Sequence, residues 1–372
     1  MKIHYLATSN VPSKTANSLQ ITKMCDALSK IGHDITLIIP NLLSSKETVK
    51  NYYDLKNSFK IYKIGSKIKA IDGLNNIFIP ISIIKKSFMI GNDLIITRNL
   101  LISFLLILLN KKHIFEIHDD LASSSSILAR IFKIFGLLNS LSVVRVIFIT
   151  NGLKKFICKK YNYKKKNYKV LPDGTDLFTS NKQLKNIKKK SNRKQIGYFG
   201  SVYLSRGIQL IIELSKIDKN NDYFIYGGSK NENAKLKKYS SKNLTIHPQI
   251  TYKKVKKKIL DMDILLMPYT KKATFSGDYG NIIDFMSPMK MFDYLGAGKI
   301  IISSDIKILR EILVNDFNSF LIKDFMNKEK WKIKIDKIKM KSEKIKEIRV
   351  NAFKTALKYN WESRAKKMLK SL

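Results

Sequence analysis

The chain is poor in cysteine, arginine, acidic residues and long apolar runs, and each shortage excludes something. Its two cysteines, Cys25 and Cys158, provide no disulfide framework and no metal-site spacing. They fit a reducing, cytoplasmic setting. The longest apolar run, residues 100 to 109 with one serine, falls well short of the roughly 20 residues a spanning helix needs. No transmembrane segment is expected. The start, MKIHYLATSN, turns polar too soon to hold a secretory signal core.

Acidic residues number 29 against 70 basic ones, a net charge of +41. Charge on this scale points to an anionic partner: nucleic acid, an acidic membrane surface or phosphorylated substrates. Only eight of the 70 basic residues are arginines, the residue that nucleic-acid readers use for bidentate and stacking contacts. The lysines are also spread over the whole length. A generally basic surface is favoured over nucleic-acid binding.

Hydrophobic residues make up 44% of the 372, so the chain can build sizeable cores, and its length suggests two domains. An apolar strand over residues 2 to 8 leads into a polar loop, then a helix over 19 to 31 closed by Gly32, then the strand DITLIIP. This is a β-loop-α-β unit of the doubly wound kind. Its loop has no glycine, which argues against a dinucleotide fingerprint. Strands are expected at DLIITR, HIFEIHD and VVRVIFIT, with helices near 100–109 and 127–141.

Apolar content collapses in SNKQLKNIKKKSNR, and a second β-loop-α pattern begins directly after it. The strand candidates DYFIYGG, NLTIHPQI, DILLMPY and KIIISSD follow, then a lysine-rich helix over 330–349 and a final helix, NWESRAKKMLKSL. The expected organisation is a first domain over 1–180, a linker over 181–193, a second domain over 194–352 and a closing helix over 353–372. No solenoid repeat is present.

Three stretches carry candidate chemistry. In SPMKMFDYLGAGK, Ser287 is suited to cap a helix and Pro288 to be its first residue. The free N–H groups of the helix start at Ser287–Met289, where Pro288 itself has none to leave unpaired, then mark an anion site. Lys290 adds a cation where the helix dipole favours an anion. Asp293 lies on the neighbouring stretch of the same face, within reach of ribose hydroxyls. The plainer alternative is a core helix with Lys290 in solvent.

In GYFGSVYLSRG, Gly200 allows close approach of a phosphate to the backbone, and Arg206 suits a bidentate clamp on a diphosphate. An ordinary β-α turn is the alternative. In FEIHDD, His118, Asp119 and Asp120 stand at the C-terminal end of a strand, where an open α/β sheet faces its ligand. A histidine satisfied by a neighbouring carboxylate is the alternative. The other histidines do not cluster.

In this order and spacing the stretches resemble the family-4 retaining glycosyltransferases of the GT-B fold, in an SPxKxFEYxxxGK variant. VLPDGTDL, DILLMPY, KIIISSDIKILREIL and NWESRA extend the resemblance over most of the chain. It implies two Rossmann-like domains with a cleft between them and a C-terminal helix crossing back to the first. It implies transfer of a sugar from a nucleotide-sugar to a saccharide or lipid-linked saccharide, with retention and without an obligatory metal or other cofactor.

By the same resemblance Gly200, Arg206, Lys290 and the helix start at Ser287–Met289 hold the diphosphate. Asp293 binds ribose, Gln249 and Ile250 edge the base, and His118 contacts the donor sugar with Asp119 beside it. The chain departs from the family where a first glutamate would fall at Phe285, with Asp278 and Asp284 nearby but out of register. Ser201 stands where many members carry arginine.

Cell-surface polysaccharide synthesis at the inner membrane face is the expected setting, with SILARIFKIFGLLNSL as a basic amphipathic candidate for the interface. A basic nucleic-acid-binding protein and a nucleotide-sugar epimerase of the same fold are the alternatives.

Overall fold

A computed structural model describes residues 1–41, 48–65, 75–179, 193–274 and 281–372. The chain forms two compact units. The first holds Met1–Asp173, Phe285–Ser287 and Trp361–Leu372; the second holds Gly174–Asp284 and Pro288–Asn360. All but Arg193 of the expected linker lies outside the described residues.

The first unit is built on seven parallel strands, β1 (Lys2–Leu6), β2 (Asp34–Pro40), β3 (Lys60–Ile64), β4 (Leu94–Thr97), β5 (His113–Ile117), β6 (Val143–Phe148) and β7 (Tyr168–Val170). Their order across the sheet is β3-β2-β1-β4-β5-β6-β7. The order reverses after β1, as in a doubly wound fold. β4 and β5 are buried along their whole length, which is why LIIT and HIFEI read as nearly unbroken apolar runs.

The first helix starts at Ala16, three residues before the apolar pattern suggests, because the Thr15 hydroxyl accepts from Ser18 N and caps it. The helix expected over 127–141 is shorter. It runs Ser126–Ile134, and Gly136, at φ +57°, turns the chain into a 3-10 turn at Leu137–Asn139. β3 and β7 are half-exposed edge strands with little apolar signal, and neither is expected from the sequence.

The second unit carries six parallel strands, β8 (Gln195–Phe199), β9 (Asp222–Tyr226), β10 (Leu244–His247), β11 (Ile264–Met267), β12 (Ile300–Ser304) and β13 (Phe320–Ile322), in the order β10-β9-β8-β11-β12-β13. Its core joins strand residues such as Tyr198, Ile225 and Ile302 to Ile211 and Trp331 from the covering helices. The lysine-rich stretch expected as one helix is two, Lys328–Lys337 and Glu343–Lys358. The helices of the described residues are none of them long and apolar enough to cross a membrane.

The closing helix Trp361–Leu369 belongs to the first unit and is tied there by two buried arginines. Arg145 of β6 donates to the carbonyls of Met368 (2.7 Å), Lys370 (3.0 Å) and Ser371 (2.7 Å), the groups a helix end leaves without partners. Arg364 Nη2 donates to Glu116 Oε1 at 2.5 Å. Glu116 is fully buried and also accepts from Tyr5 Oη (3.2 Å), Gln20 Nε2 (2.8 Å) and His118 Nε2 (2.8 Å).

One carboxylate thus joins β1, the first helix, β5 and the closing helix. Burial alone would raise its pKa; Arg364, His118 and Arg98 outweigh burial and hold it well below the usual carboxylate range. Glu116→Ala strands the Arg364 charge and should cost about 3–5 kcal/mol. Glu116→Gln should cost less. Urea unfolding of the two variants checks the order.

Candidate functional site

The chemistry-bearing side chains gather at the C-terminal ends of the strands, and each unit has its own cluster. In the second unit β8 ends at Phe199, and the loop from Gly200 makes a 3-10 turn at Leu204–Arg206 before the helix Ile208–Ile217. Gly200 sits at φ +147°, and a Cβ there would lie 2.8 Å from Lys290 Nζ. The positive φ favours glycine here, and a side chain would also have to displace the tip of Lys290.

Lys290 stands in the first turn of the helix Met289–Gly296. Its ammonium donates to Tyr198 Oη at 2.8 Å and lies 3.9 Å from the centre of that ring. Tyr198 Oη donates onward to Ser201 O at 2.6 Å. Arg206 Nη2 donates to Thr274 O at 2.6 Å, and its guanidinium lies 5.6 Å from the Tyr269 ring. Lys290 is 5.7 Å from the same ring.

Two cations therefore share one aromatic wall, and among the described residues neither pairs with a carboxylate. Burial, then Arg206, pushes the Lys290 ammonium well below the ordinary lysine pKa. Lys290 is partly buried and partnered by tyrosine, so the reading of it as a solvated surface lysine does not hold.

The helix start differs from the sequence reading. Pro288, with φ −75° and ψ 118°, is the cap residue and not the first helical one; the helix begins at Met289. Ser287 does not cap it, because its Oγ accepts from Asp173 N at 3.2 Å in the first unit. No side chain caps this helix. Asp293 is buried, and its Oδ1 accepts from Thr175 Oγ1 and Tyr252 Oη, both at 2.8 Å. Oδ2 takes no protein donor among the described residues. Burial, partly offset by those two hydroxyls, raises its pKa to about 6.

Gln249 and Ile250 follow β10, with Gln249 N donating to Gly228 O at 3.0 Å, so they share the strand-end edge with Gly200. Phe285 is packed on Phe156 in the first unit, its ring centre 5.5 Å away. Asp284 is exposed, and Asp278 lies outside the described residues.

In the first unit His118 follows β5. Burial, then Arg98, lowers its pKa to about 4 against the opposing pull of Glu116. The ring is neutral at physiological pH, its Nε2–H donates to ionised Glu116, and Nδ1 is left as an acceptor. Asp119 Oδ1 accepts from Ser123 Oγ at 2.6 Å, and burial raises its pKa.

The Asp120 carboxylate is engaged within its own unit. It caps the short helix Leu121–Ser124, accepts from Tyr161 Oη at 2.6 Å and pairs with Lys160. Glu116 and Arg98 are the members of this cluster that the sequence reading missed. The Glu-x-His spacing in FEIHDD was the available signal: strand residues two apart share a face. Asn10, in the loop after β1, and Asn17, in the first turn of the first helix, each have a buried Oδ1 without a protein partner. Among the described residues no group of three or more His, Cys, Asp or Glu is placed to hold a metal.

Residues 179–355 match the family model described as glycosyl transferases group 1. No match is found among curated proteins. Solved structures match along the whole chain. Anabaena HepE, in complex with UDP and glucose, is 13% identical with a TM-score of 0.71, covering 100% of both chains. Sucrose-phosphate synthase from Thermosynechococcus elongatus is 13% identical with a TM-score of 0.71, covering 99% of this chain and 97% of the other. WaaG, a glycosyltransferase involved in lipopolysaccharide biosynthesis, is 12% identical with a TM-score of 0.66, covering 99% and 100%. The fold is GT-B, and the family match identifies the chain as a glycosyltransferase.

Asp173 gives this subsection its test. It is 5% exposed, with Oδ1 unpartnered. Burial, against Arg364 and Arg98, raises its pKa to about 6. Its unfolded value is near 3.9. The protonated form is thus the one favoured by folding; that contribution is complete below about pH 4 and is lost as pH rises through about 6. Asp173→Asn should stabilise the protein by up to about 3 kcal/mol at pH 8 and by little at pH 4. Thermal unfolding at the two pH values checks it.

Proposed function

We propose that this glycosyltransferase moves a sugar from a nucleoside-diphosphate sugar to a saccharide or lipid-linked saccharide, with retention at the anomeric carbon, as family-4 enzymes do. The observation that carries the reading is the pair Lys290 and Arg206. Two partly buried cations on one wall, with no carboxylate partner among the described residues, call for a ligand with at least two negative charges. A diphosphate meets that demand. The UDP bound by the HepE structure supports a nucleotide as its carrier.

In this reading Gly200 and the uncapped N–H groups at Met289 and Lys290 meet the phosphates. Asp293 Oδ2 faces the ribose, and the Gln249–Ile250 loop edges the base. As the bond from the anomeric carbon to the β-phosphate oxygen breaks, electrons stay on that oxygen. Arg206 and Lys290 stabilise the growing charge, without a metal in that role. The neutral His118 offers Nδ1 to a donor-sugar hydroxyl, and Asp119 a carboxylate beside it. The acceptor hydroxyl attacks from the face the nucleotide leaves and passes its proton to the departing β-phosphate oxygen. A product made for cell-surface polysaccharide, at the inner face of a membrane, agrees with the net charge of +41.

Lys290→Ala and Arg206→Ala should each weaken UDP binding by about 10- to 100-fold while leaving the unfolding temperature near wild type. Titration calorimetry measures the affinity. Binding should also take up protons above neutral pH, because a bound dianion restores the lysine pKa; heats in buffers of different ionisation enthalpy report this. Wild-type affinity in both variants would sink the diphosphate assignment. An inverted product, read by NMR of the new anomeric centre, would sink the stereochemical part.

A further inference from the structure

The strands of the first unit begin at an edge unlike the rest of its surface. The segments entering β4, β5 and β6 leave large apolar side chains in solvent: Met89, Leu108, Leu109, Ile134, Phe135 and Leu141. Leu141 is 85% exposed and Ile134 74%. Hydrogen bonds join these segments into one surface. Ser142 Oγ donates to Asn110 Oδ1 at 3.2 Å, Asn139 Nδ2 to Asn162 O at 3.1 Å and Lys164 N to Asn139 Oδ1 at 3.0 Å. Lys165 Nζ donates to Ser140 O at 2.8 Å, and Lys111 Nζ lies 5.5 Å from the Phe88 ring.

The charge on this surface has one sign. Residues 121 to 172 contain eleven lysines and arginines and no aspartate or glutamate. Lys111, Lys112, Lys133, Lys164 and Lys166 are exposed around the apolar tips. Among the described residues the carboxylates next to these segments are Asp93, before β4, and at the far strand ends Glu116, Asp119 and Asp120; exposed Asp34 opens β2, beyond β1, where it pairs with Lys60.

We propose that this strand-start edge docks on an anionic lipid surface, with Phe135 and Leu141 entering the headgroup region and the lysines meeting the lipid charges. The proposal deepens the reading of a transferase at a membrane and rests on it for its purpose. Aliphatic tips ringed by lysine suit the boundary of headgroups and acyl chains. Each lysine near such a surface adds attraction that falls off within a Debye length. A nucleic acid would find neither stacking aromatics nor an arginine fork among those tips.

The test is flotation of the full chain with vesicles of equimolar phosphatidylglycerol and phosphatidylcholine, and with vesicles of phosphatidylcholine alone. Wild type should float with the first and not the second, and salt should release it. Phe135→Asp with Leu141→Asp should lower the partition about tenfold or more. Both side chains are exposed, so unfolding temperature and UDP affinity should stay at wild-type values. Wild-type flotation of the double variant would overturn the proposal. So would displacement of wild type from vesicles by a DNA duplex. So would a dimer in light scattering that the double variant converts to monomer, since a second copy would then cover the edge. Loss of flotation with UDP binding and sugar transfer intact leaves the enzymatic reading standing; flotation without UDP binding leaves only the docking face.

Discussion

A single buried carboxylate organises the first unit. Glu116 receives hydrogen bonds from β1, from the first helix, from the residue two positions on and from the closing helix. A buried charge of this kind is tolerated only when its partners are complete. The last residues of the sequence must therefore return to the first sheet for the Glu116 cluster to be balanced. The same bond decides the chemistry of His118: with Nε2–H committed to Glu116, the ring is a neutral acceptor rather than a cation.

The second unit shows the opposite electrostatics. Beside Gly200 the two charges, Lys290 and Arg206, share a sign, and among the described residues their partners are aromatic faces, a tyrosine hydroxyl and a carbonyl. Tyr198 is the hinge of the arrangement, accepting from Lys290 while holding the Ser201 carbonyl. The absence of a side chain at Gly200 makes room for the ammonium. An arginine at Ser201 is absent, and Lys290 brings a cation to the same loop from another element.

Much of this was legible in the sequence. The strand DITLIIP runs to the residue as read, and most buried strands announced themselves as apolar runs, while the three-residue β13 was too short to do so. Edge strands β3 and β7 were not legible, because half-exposed strands alternate too weakly to be told from loops. The helix start at Met289 was misplaced by one residue because Ser287, a good cap by type, is held by a backbone N–H distant in sequence. Tertiary partners decide such cases, and no local pattern reports them. Glu116 escaped for the same reason: an interior strand glutamate reads as an anomaly until Arg364, 248 residues away, is seen beside it.

The direction of the strands has a consequence for the acceptor. β5 starts among the lysines of its lower edge and ends beside His118, five residues later. At about 3.3 Å per residue that is roughly 17 Å. If that edge docks on lipid as proposed, the headgroups lie about that far from His118, and an acceptor hydroxyl must stand roughly 17 Å above them to meet the histidine.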